Sequence, residues 1–374
     1  MRQLSLVILI FALFCVRSIE GIAIELFNWE SINIPGAVCG DGLPYHIFVR
    51  RGDPQKLAIG LGSGGACWNF ATCWGPTFAT WIHPLPVMIQ GGIASSDPKV
   101  SPLADYTHVF FDYCTGDVFV GAHTANYFLG SKVHHYGSIN FQKGLEYILQ
   151  NELVDFSQLR SLVLFGSSAG GIGAMAMVSP LADKLTEMKL KGKLSADLDK
   201  AVILDSIGLH FGKDMWKKFS PELFKDLRES FGRSGLILNY DDGDIGPSLL
   251  NFCRRFSDWR IGFLQSTKDV MMTQVFGAIS LSEYNAVLMG EGGIYKQSLD
   301  PNDNCSSWII DSYMHMFLFL DDTSFWETDG KSARDYVQGI VEGTDMRSYP
   351  LQNPLQNSTQ NSLQDSLQNP LQRN

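Results

Sequence analysis

The stretch that most constrains the fold runs from residue 162 to residue 177 and reads LVLFGSSAGGIGAMAM. No charged residue lies between Arg160 and Asp183, so hydropathy alone would allow a membrane span. The central glycines and serines make a poor helix centre, however, and a spanning helix must satisfy its own backbone throughout. The pattern instead predicts a buried strand over residues 162–165, a tight turn, and a helix that includes residues 174–178.

The turn itself, Gly166-Ser167-Ser168-Ala169-Gly170, matches the G-x-S-x-G pattern of a nucleophile elbow. In such a turn the flanking glycines let strand and helix approach closely, and the helix start offers N–H groups to a developing oxyanion. The pattern therefore predicts Ser168 as a nucleophile. A helix N-terminus capped by Ser167 or Ser168 is the structural alternative that the same residues allow.

Strand-like and helix-like segments alternate along the rest of the chain. Five apolar runs of strand length end in turn residues or small polar groups: KLAIGLGSGG, THVFFDY, SLVLFG, KAVILDS and RIGFLQS. This alternation predicts an α/β fold with a mostly parallel sheet flanked by helices, which together with the elbow is α/β-hydrolase-like. In such sheets reactive groups collect at the carboxyl ends of the strands, where Ser168 also lies.

A serine nucleophile needs a histidine base and a carboxylate, and the order along an α/β-hydrolase chain is serine, acid, histidine. Only His210 and His315 follow Ser168. The order and the position after a strand favour Asp269 as the acid and His315 as the base. Asp205 also ends a strand and is the main rival acid. The structural alternatives are a turn-capping role for Asp205 and a packed loop for His210.

The segment GLGSGGACWNFATCWG follows another predicted strand and is the candidate oxyanion loop. Ala169, the residue after the nucleophile, and N–H groups of the loop Gly64-Gly65-Ala66 are predicted to supply the donors. Cys67 and Cys73 flank a short excursion that a disulfide would hold in place. An ordinary glycine turn between two structural cysteines is the alternative.

The first residues predict a secreted protein. Residues 1–18 have the pattern of a signal peptide, with Arg2 followed by an apolar stretch too short to span a membrane. Their removal takes away two arginines and leaves 27 basic against 39 acidic residues, so the formal net charge changes from −10 to −12. We therefore expect neither nucleic-acid binding nor stable membrane insertion.

Six cysteines remain once Cys15 leaves with the signal, and an even number in a secreted chain predicts three disulfides with fifteen possible pairings. They are Cys39, Cys67, Cys73, Cys114, Cys253 and Cys305. The sequence contains no C-x-x-C and no H-E-x-x-H pattern, so no metal and no cofactor are predicted.

The expected organisation is a single catalytic domain over residues 19–347 and a disordered tail over residues 348–374. The tail repeats Leu-Gln-Asn with Pro or Ser spacers and has too little apolar surface to fold. Two N-x-S/T sequons, at Asn304 and Asn357, are candidate glycosylation sites. We expect a monomer.

Several of these blocks resemble the pectin acetylesterase and Notum family of secreted serine carboxylesterases over residues 37–320. They are GSGGACWNFATC, FFDYCTGDVFVG and GSSAGG, with weaker matches at FLQSTKD and SYMH. The resemblance implies a triad of Ser168, Asp269 and His315. It also implies oxyanion donors at Gly65, Ala66 and Ala169.

The resemblance also bears on residues outside the triad. It implies a Cys39–Cys114 disulfide. Cys67 and Cys73 are paired here because they are close in sequence, and Cys253 and Cys305 are the two that remain. Asp117, in CTGDVFVG, is expected near the site as a carboxylate that stabilises its loop rather than as a catalytic group.

The predicted function is that of a secreted serine esterase that uses a Ser-His-Asp triad and an acyl-enzyme. The expected substrate is an acyl ester, foremost acetyl, on pectin or another acylated polysaccharide. One alternative is a deacylase that removes a fatty acyl group from a protein, as Notum does. An alternative of another class is an inactive binding protein that retains the hydrolase fold.

Overall fold

The computed structural model describes residues 28–74, 91–299 and 304–350. The predicted signal peptide over residues 1–18, the sequon at Asn357 and all of the predicted tail beyond residue 350 lie outside the described residues.

Twelve strands are present in the described part of the chain, and eight of them form one sheet. The strands are β1 Glu30–Val38, β2 Pro44–Arg50, β3 Asp53–Leu61, β4 Tyr106–Phe111, β5 His123–Asn126, β6 Lys132–His135, β7 Ser161–Ser167, β8 Asp199–Asp205, β9 Arg260–Ser266, β10 Cys305–Ile310, β11 Glu327–Thr328 and β12 Lys331–Ser332. The large sheet has the order β1-β2-β4-β3-β7-β8-β9-β10, and the pairs β5-β6 and β11-β12 form small hairpins. In this sheet β2 runs opposite to the other seven strands, which all point the same way. The predicted α/β-hydrolase-like fold is confirmed.

Eight α-helices accompany the strands within the described ranges. They are α1 Phe70–Cys73, α2 Gly137–Gln150, α3 Ala169–Leu190, α4 Pro221–Arg233, α5 Leu249–Arg255, α6 Leu281–Met289, α7 Ile294–Gln297 and α8 Ala333–Glu342. Helices α2 and α3 cover one face of the sheet, and α8 covers the other by packing on β8 and β9. The long helix α3 includes the helical segment predicted after the elbow.

The central strands are buried on both faces, which explains their continuous apolar runs. In β7, Leu162 and Leu164 belong to the core under α3, whereas Val163 and Phe165 belong to the core under α8. This alternation follows from the two-residue period of a strand. Because the strands are parallel and in register, their carboxyl ends meet at one edge, where Ser167 is paired with Asp205.

Within these ranges three disulfides join Cys39 to Cys114, Cys67 to Cys73, and Cys253 to Cys305. The first connects the ends of β1 and β4, the second closes the loop that contains α1, and the third attaches α5 to the edge strand β10. Native bridges of this kind in secreted domains typically stabilise the fold by about 2–5 kcal/mol each.

Asn304 lies at the start of β10 and is almost fully buried. Its amide nitrogen, the atom that would carry a glycan, donates hydrogen bonds to the carbonyl oxygens of Cys253, Phe256 and Trp259. This arrangement argues against a glycan at Asn304 in the folded protein.

Within residues 28–74, 91–299 and 304–350, none of the helices combines the length and the apolar character that crossing a bilayer requires.

Candidate active site

Ser168 occupies the turn between β7 and α3, with φ of 52° and ψ of −123°. This strained conformation is typical of a functional turn and costs on the order of 1–3 kcal/mol. A Cβ at Gly166 would collide with the backbone of Gly170, and a Cβ at Gly170 would collide with the carbonyl oxygen of Leu61. The two flanking glycines are therefore required by close backbone contacts. The side chain of Ser168 does not cap α3.

The hydroxyl of Ser168 lies 2.9 Å from Nε2 of His315, and Nδ1 of His315 lies 2.8 Å from Oδ2 of Asp269. His315 comes from the loop after β10 and Asp269 from the loop after β9, so three strand ends supply the three side chains. With the proton on Nδ1, the imidazole donates to Asp269 and accepts from Ser168. This is the arrangement that a base needs to take a proton from a serine hydroxyl.

Asp269 is completely buried and is held by two further hydrogen bonds. Oδ1 accepts from the backbone N–H of Met272 at 3.0 Å, and Oδ2 accepts from the side-chain amide of Gln265 at 3.1 Å. These donors fix the carboxylate and leave one direction of Oδ2 for His315.

The rival acid Asp205 is also completely buried, but its partners differ. Oδ2 accepts from the hydroxyl of Ser167 at 2.7 Å and from the backbone N–H groups of Phe317 and Leu318 at 2.8 and 3.0 Å. Oδ1 accepts from the hydroxyl of Ser206 at 2.9 Å. Burial raises the pKa of Asp205, and these hydrogen bonds lower it in part.

The second candidate base, His210, is bonded elsewhere. Its Nδ1 lies 2.7 Å from Oδ1 of Asp244, and its Nε2 accepts a 3.3 Å hydrogen bond from the backbone N–H of Ile294. His210 is therefore a packed loop histidine, which is the structural alternative that the sequence allowed for it.

Gly65, Ala66 and Ala169 line the same cavity as Ser168. Ala169 is the first residue of α3, and Gly65 has a φ of +82° that favours glycine. The three residues predicted to donate to an oxyanion thus all line the cavity that Ser168 also lines.

Tyr113, which follows β4, holds the candidate oxyanion loop through its hydroxyl group. Its hydroxyl donates to the carbonyl oxygen of Gly65 at 2.7 Å and accepts from the backbone N–H of Val118 at 2.9 Å. In a planar trans peptide the carbonyl and the following N–H point in opposite directions. The bond to Gly65 therefore turns the N–H of Ala66 away from Tyr113. Sequence reasoning did not single out this tyrosine.

Asp117 is buried beside the cavity and holds the loop after β4. It accepts hydrogen bonds from the hydroxyl of Thr115 and from the backbone N–H groups of Phe119 and Gly137. Burial raises the pKa of Asp117, and these three donors lower it in part. The contacts are those of a carboxylate that stabilises a loop.

A cavity that is partly open to solvent lies beside Ser168. Its wall is almost entirely apolar and comes mostly from residues 209–276. The apolar side chains are Val118, Ile172, Leu209, Phe211, Met215, Trp216, Phe219, Leu223, Leu227, Phe231, Ile245, Met272 and Phe276. The ring of Trp68 packs on Phe219 with 5.3 Å between ring centroids, so it supports this wall.

Two groups of side chains in the described ranges are close enough to hold a metal ion: Cys67 and Cys73 with His135, and Cys39 and Cys114 with Asp112. Each group contains a disulfide, so its cysteines offer no thiolate. Neither group is a set of metal ligands in this oxidised state.

Comparisons with known proteins give relatives along part of the chain. The family model for pectinacetylesterase matches residues 20–197. The chain is 30% identical over 183 residues to the palmitoleoyl-protein carboxylesterase NOTUM of Schmidtea mediterranea, which covers 45% of this chain and 33% of that protein. It is 28% identical over 158 residues to pectin acetylesterase 5 of Arabidopsis thaliana, covering 40% of this chain and 36% of that protein. The matched regions thus span about a third of these relatives.

The fold also has a solved counterpart. The Wnt deacylase Notum from Drosophila superposes with a TM-score of 0.57 over 85% of this chain and 94% of that one, at 18% identity.

Proposed function

Since the chain is a relative of the pectin acetylesterases and Notum, we propose that it is a serine carboxylesterase. Ser168 is the nucleophile, His315 the general base and Asp269 the carboxylate that orients the imidazole. The observation that carries the proposal is the continuous hydrogen-bonded path through these three side chains, with Ser168 in the wall of an apolar cavity. An inactive binding protein is the alternative of another class, and the complete set of three side chains argues against it.

The reaction follows from this arrangement. The Ser168 hydroxyl attacks the ester carbonyl and gives its proton to Nε2 of His315, and Asp269 stabilises the resulting imidazolium through Nδ1. His315 then protonates the leaving alcohol, which leaves the acyl group on Ser168. Water, deprotonated by the same histidine, hydrolyses this acyl-enzyme and releases the acid.

The carbonyl oxygen becomes negatively charged in both tetrahedral intermediates. The N–H groups of Ala169, Ala66 and Gly65 are the proposed donors to this oxygen, because all three residues line the cavity beside Ser168. Loss of one such donor costs about 3 kcal/mol of transition-state stabilisation in serine hydrolases.

The cavity is the proposed acyl-binding site, and its lining favours an acyl group longer than acetyl. An acetyl group bound at Ser168 is too short to contact most of the thirteen apolar side chains of the wall. Each methylene buried in such a site contributes about 0.8 kcal/mol. The name of the planarian relative, a palmitoleoyl-protein carboxylesterase, supports removal of a fatty acyl group from a protein. The plant relative supports the second candidate, acetyl esters of pectin or another polysaccharide.

Secretion is part of the proposal. Three disulfides within the described residues fit an oxidising compartment, where such bonds persist. The predicted signal peptide supports the same conclusion. We propose a monomer that needs no cofactor.

The test is a series of nitrophenyl esters from acetate to hexadecanoate, with Ser168→Ala as the inactive reference. A kcat/KM that rises with chain length supports the fatty-acyl function, and a maximum at acetate supports the polysaccharide function. Absence of turnover with every ester, together with no labelling of Ser168 by a fluorophosphonate, would contradict the esterase proposal.

A cavity-filling variant tests the acyl site separately. Leu227 lies on α4 in the cavity wall, so Leu227→Trp places a larger ring there. We expect its kcat/KM to fall about tenfold or more for the longest esters, since several methylenes lose their contacts, and to change little for acetate. An equal loss for acetate and hexadecanoate would argue against acyl binding in this cavity.

A further inference from the structure

The chain directly after His315 is fixed by side chains at the end of a different strand, β8. The backbone N–H of Met316 donates to the hydroxyl of Ser206 at 2.9 Å. The next two N–H groups, of Phe317 and Leu318, donate to Oδ2 of Asp205. Three consecutive amides thus converge on two adjacent residues. Met316 has a φ of 73°, a left-handed conformation that is uncommon outside glycine.

The same strand end also holds the nucleophile turn. The hydroxyl of Ser167 donates to Oδ2 of Asp205, and the N–H of Ser168 donates to the carbonyl oxygen of Asp205 at 2.8 Å. Asp205 therefore contacts the elbow through both its side chain and its backbone. One residue connects the segment that carries the proposed nucleophile to the segment that carries the proposed base.

Burial makes this connection rigid. Asp205, Ser167 and Ser206 are fully buried, so water does not replace a lost partner without opening the core. A buried carboxylate is costly unless hydrogen bonds satisfy it, and Asp205 accepts four. A shift of the loop that carries His315 would break its hydrogen bonds to Asp205 and leave this buried carboxylate with fewer donors.

We infer that Asp205 is a positioning residue, which sets the distance between Ser168 and His315 by holding both segments. This inference rests on the proposed function, because it assigns Asp205 a role in that reaction. Asp205 does not belong to the cavity wall, so its effect falls on the chemical step rather than on acyl binding. A displacement of about 1 Å between reacting groups can cost about a hundredfold in rate.

The test compares Asp205→Ala with Asp205→Asn on one nitrophenyl ester, well below the melting temperature of each variant. Asp205→Ala is expected to lower kcat about a hundredfold, with KM within about twofold of wild type. Asp205→Asn keeps a carbonyl oxygen for the N–H groups of Phe317 and Leu318, so it should restore kcat to within about tenfold of wild type. The rate of Ser168 labelling by a small fluorophosphonate should follow kcat in both variants.

Three outcomes would overturn the inference. A folded Asp205→Ala enzyme with the wild-type kcat would show that the contacts do not matter for the reaction. A folded Asp205→Asn enzyme as slow as Asp205→Ala would assign the effect to the charge. A rise in KM without a fall in kcat would assign it to binding. A wild-type enzyme without turnover or labelling, by contrast, would contradict the proposed function itself.

Two further serine variants keep the inference testable if Asp205→Ala does not fold. Ser206→Ala removes the acceptor for Met316 and leaves the carboxylate, so kcat should fall about fivefold. Ser266 is the matched control: it is buried at the end of the next strand, and its hydroxyl has no hydrogen-bond partner among the described residues. Ser266→Ala should keep kcat within about twofold of wild type. Equal rates in the two variants would overturn the inference.

Discussion

Two buried carboxylates lie at adjacent strand ends beside the proposed nucleophile, and they contact the same loop in different ways. Asp269 accepts from the imidazole ring of His315, whereas Asp205 accepts from the backbone N–H groups of Phe317 and Leu318. Both are fully buried and both accept several hydrogen bonds. Burial and strand-end position therefore do not distinguish a carboxylate that acts on the base from one that holds its backbone. The path of the loop after β10 distinguishes them, because it places the His315 ring against Asp269 and the next backbone N–H groups against Asp205.

The two carboxylates also experience the reaction differently. In the proposed reaction His315 takes the proton of Ser168, which places a positive charge 2.8 Å from Oδ2 of Asp269, and this carboxylate stabilises it. Among the described residues, all four donors to the Asp205 carboxylate are uncharged in every step. The proposed reaction therefore places no new charge beside Asp205 through these donors.

The largest expected effect is the difference in kcat between Asp269→Asn and Asp205→Asn, which make the same change in the two carboxylates. Asp269→Asn should lower kcat by about 10⁴-fold, because an amide at this place favours the wrong imidazole tautomer. Asp205→Asn should cost far less, since its amide oxygen still accepts from the two backbone N–H groups. Steady-state kinetics on both variants, with folding checked by circular dichroism, makes the comparison. An active Asp269→Asn enzyme beside a dead, folded Asp205→Asn enzyme would exchange the two roles.

A smaller effect is expected at the proposed oxyanion donors. Tyr113, like Asp205, contacts a backbone group there, the carbonyl oxygen of Gly65. Tyr113→Phe removes the bond to the Gly65 carbonyl and should lower kcat about tenfold, less than the about hundredfold or greater loss on removal of a donor itself. Tyr45→Phe is the matched control, because its buried hydroxyl donates to the carbonyl oxygen of Asp112 in the same way. It should lower the melting temperature and keep kcat. A similar kcat in both variants would contradict the role of Tyr113.

The smallest effect concerns stability, and it follows from the raised pKa of Asp205. Above its ordinary pKa of 3.8 the unfolded chain loses this proton before the folded protein does. The ionised group therefore disfavours folding, and the free energy of unfolding of the wild type should fall relative to Asp205→Asn as the pH rises. A pKa difference of one unit corresponds to about 1.4 kcal/mol. Urea unfolding of both proteins from pH 4 upward measures the free energy of unfolding of the wild type minus that of Asp205→Asn. This difference should fall as the pH rises, and a rise would contradict the prediction.

Much of the fold was predictable because its signals are local. The strand, turn and helix around Ser168 are encoded in sixteen consecutive residues, and the apolar runs of the neighbouring strands predicted a parallel sheet, which is confirmed. The resemblance to the pectin acetylesterase and Notum family is likewise confirmed. The predicted cysteine pairs are those that the structure joins.

The sequence narrowed the candidate site to two possible acids and two possible bases but did not decide between them. Chain order narrowed the base to His210 and His315, and position after a strand narrowed the acid to Asp205 and Asp269; the structure brings Asp269 and His315 together with Ser168. Their catalytic roles remain predictions. The double contact of Asp205 could not be inferred, because it depends on the backbone path of residues 316–318.

The cavity and the hydroxyl contacts of Tyr113 gave no sequence signal. The wall residues come from short helices and irregular segments over residues 209–276, without a common period. Burial of Asn304 was equally unpredictable, since a sequon describes three residues and says nothing of the carbonyl groups around them.

The division of the cavity wall along the chain has a consequence for how such enzymes diverge. The match to the pectinacetylesterase family model ends at residue 197, after Ser168 and the candidate oxyanion loop, while most of the wall is formed by residues 209–276. If the cavity binds the acyl group, as we propose, most of the residues that contact this group lie outside the matched stretch. Mutations in the later stretch can change which ester is accepted while the earlier stretch stays recognisable, so relatives that share the first half can differ in substrate.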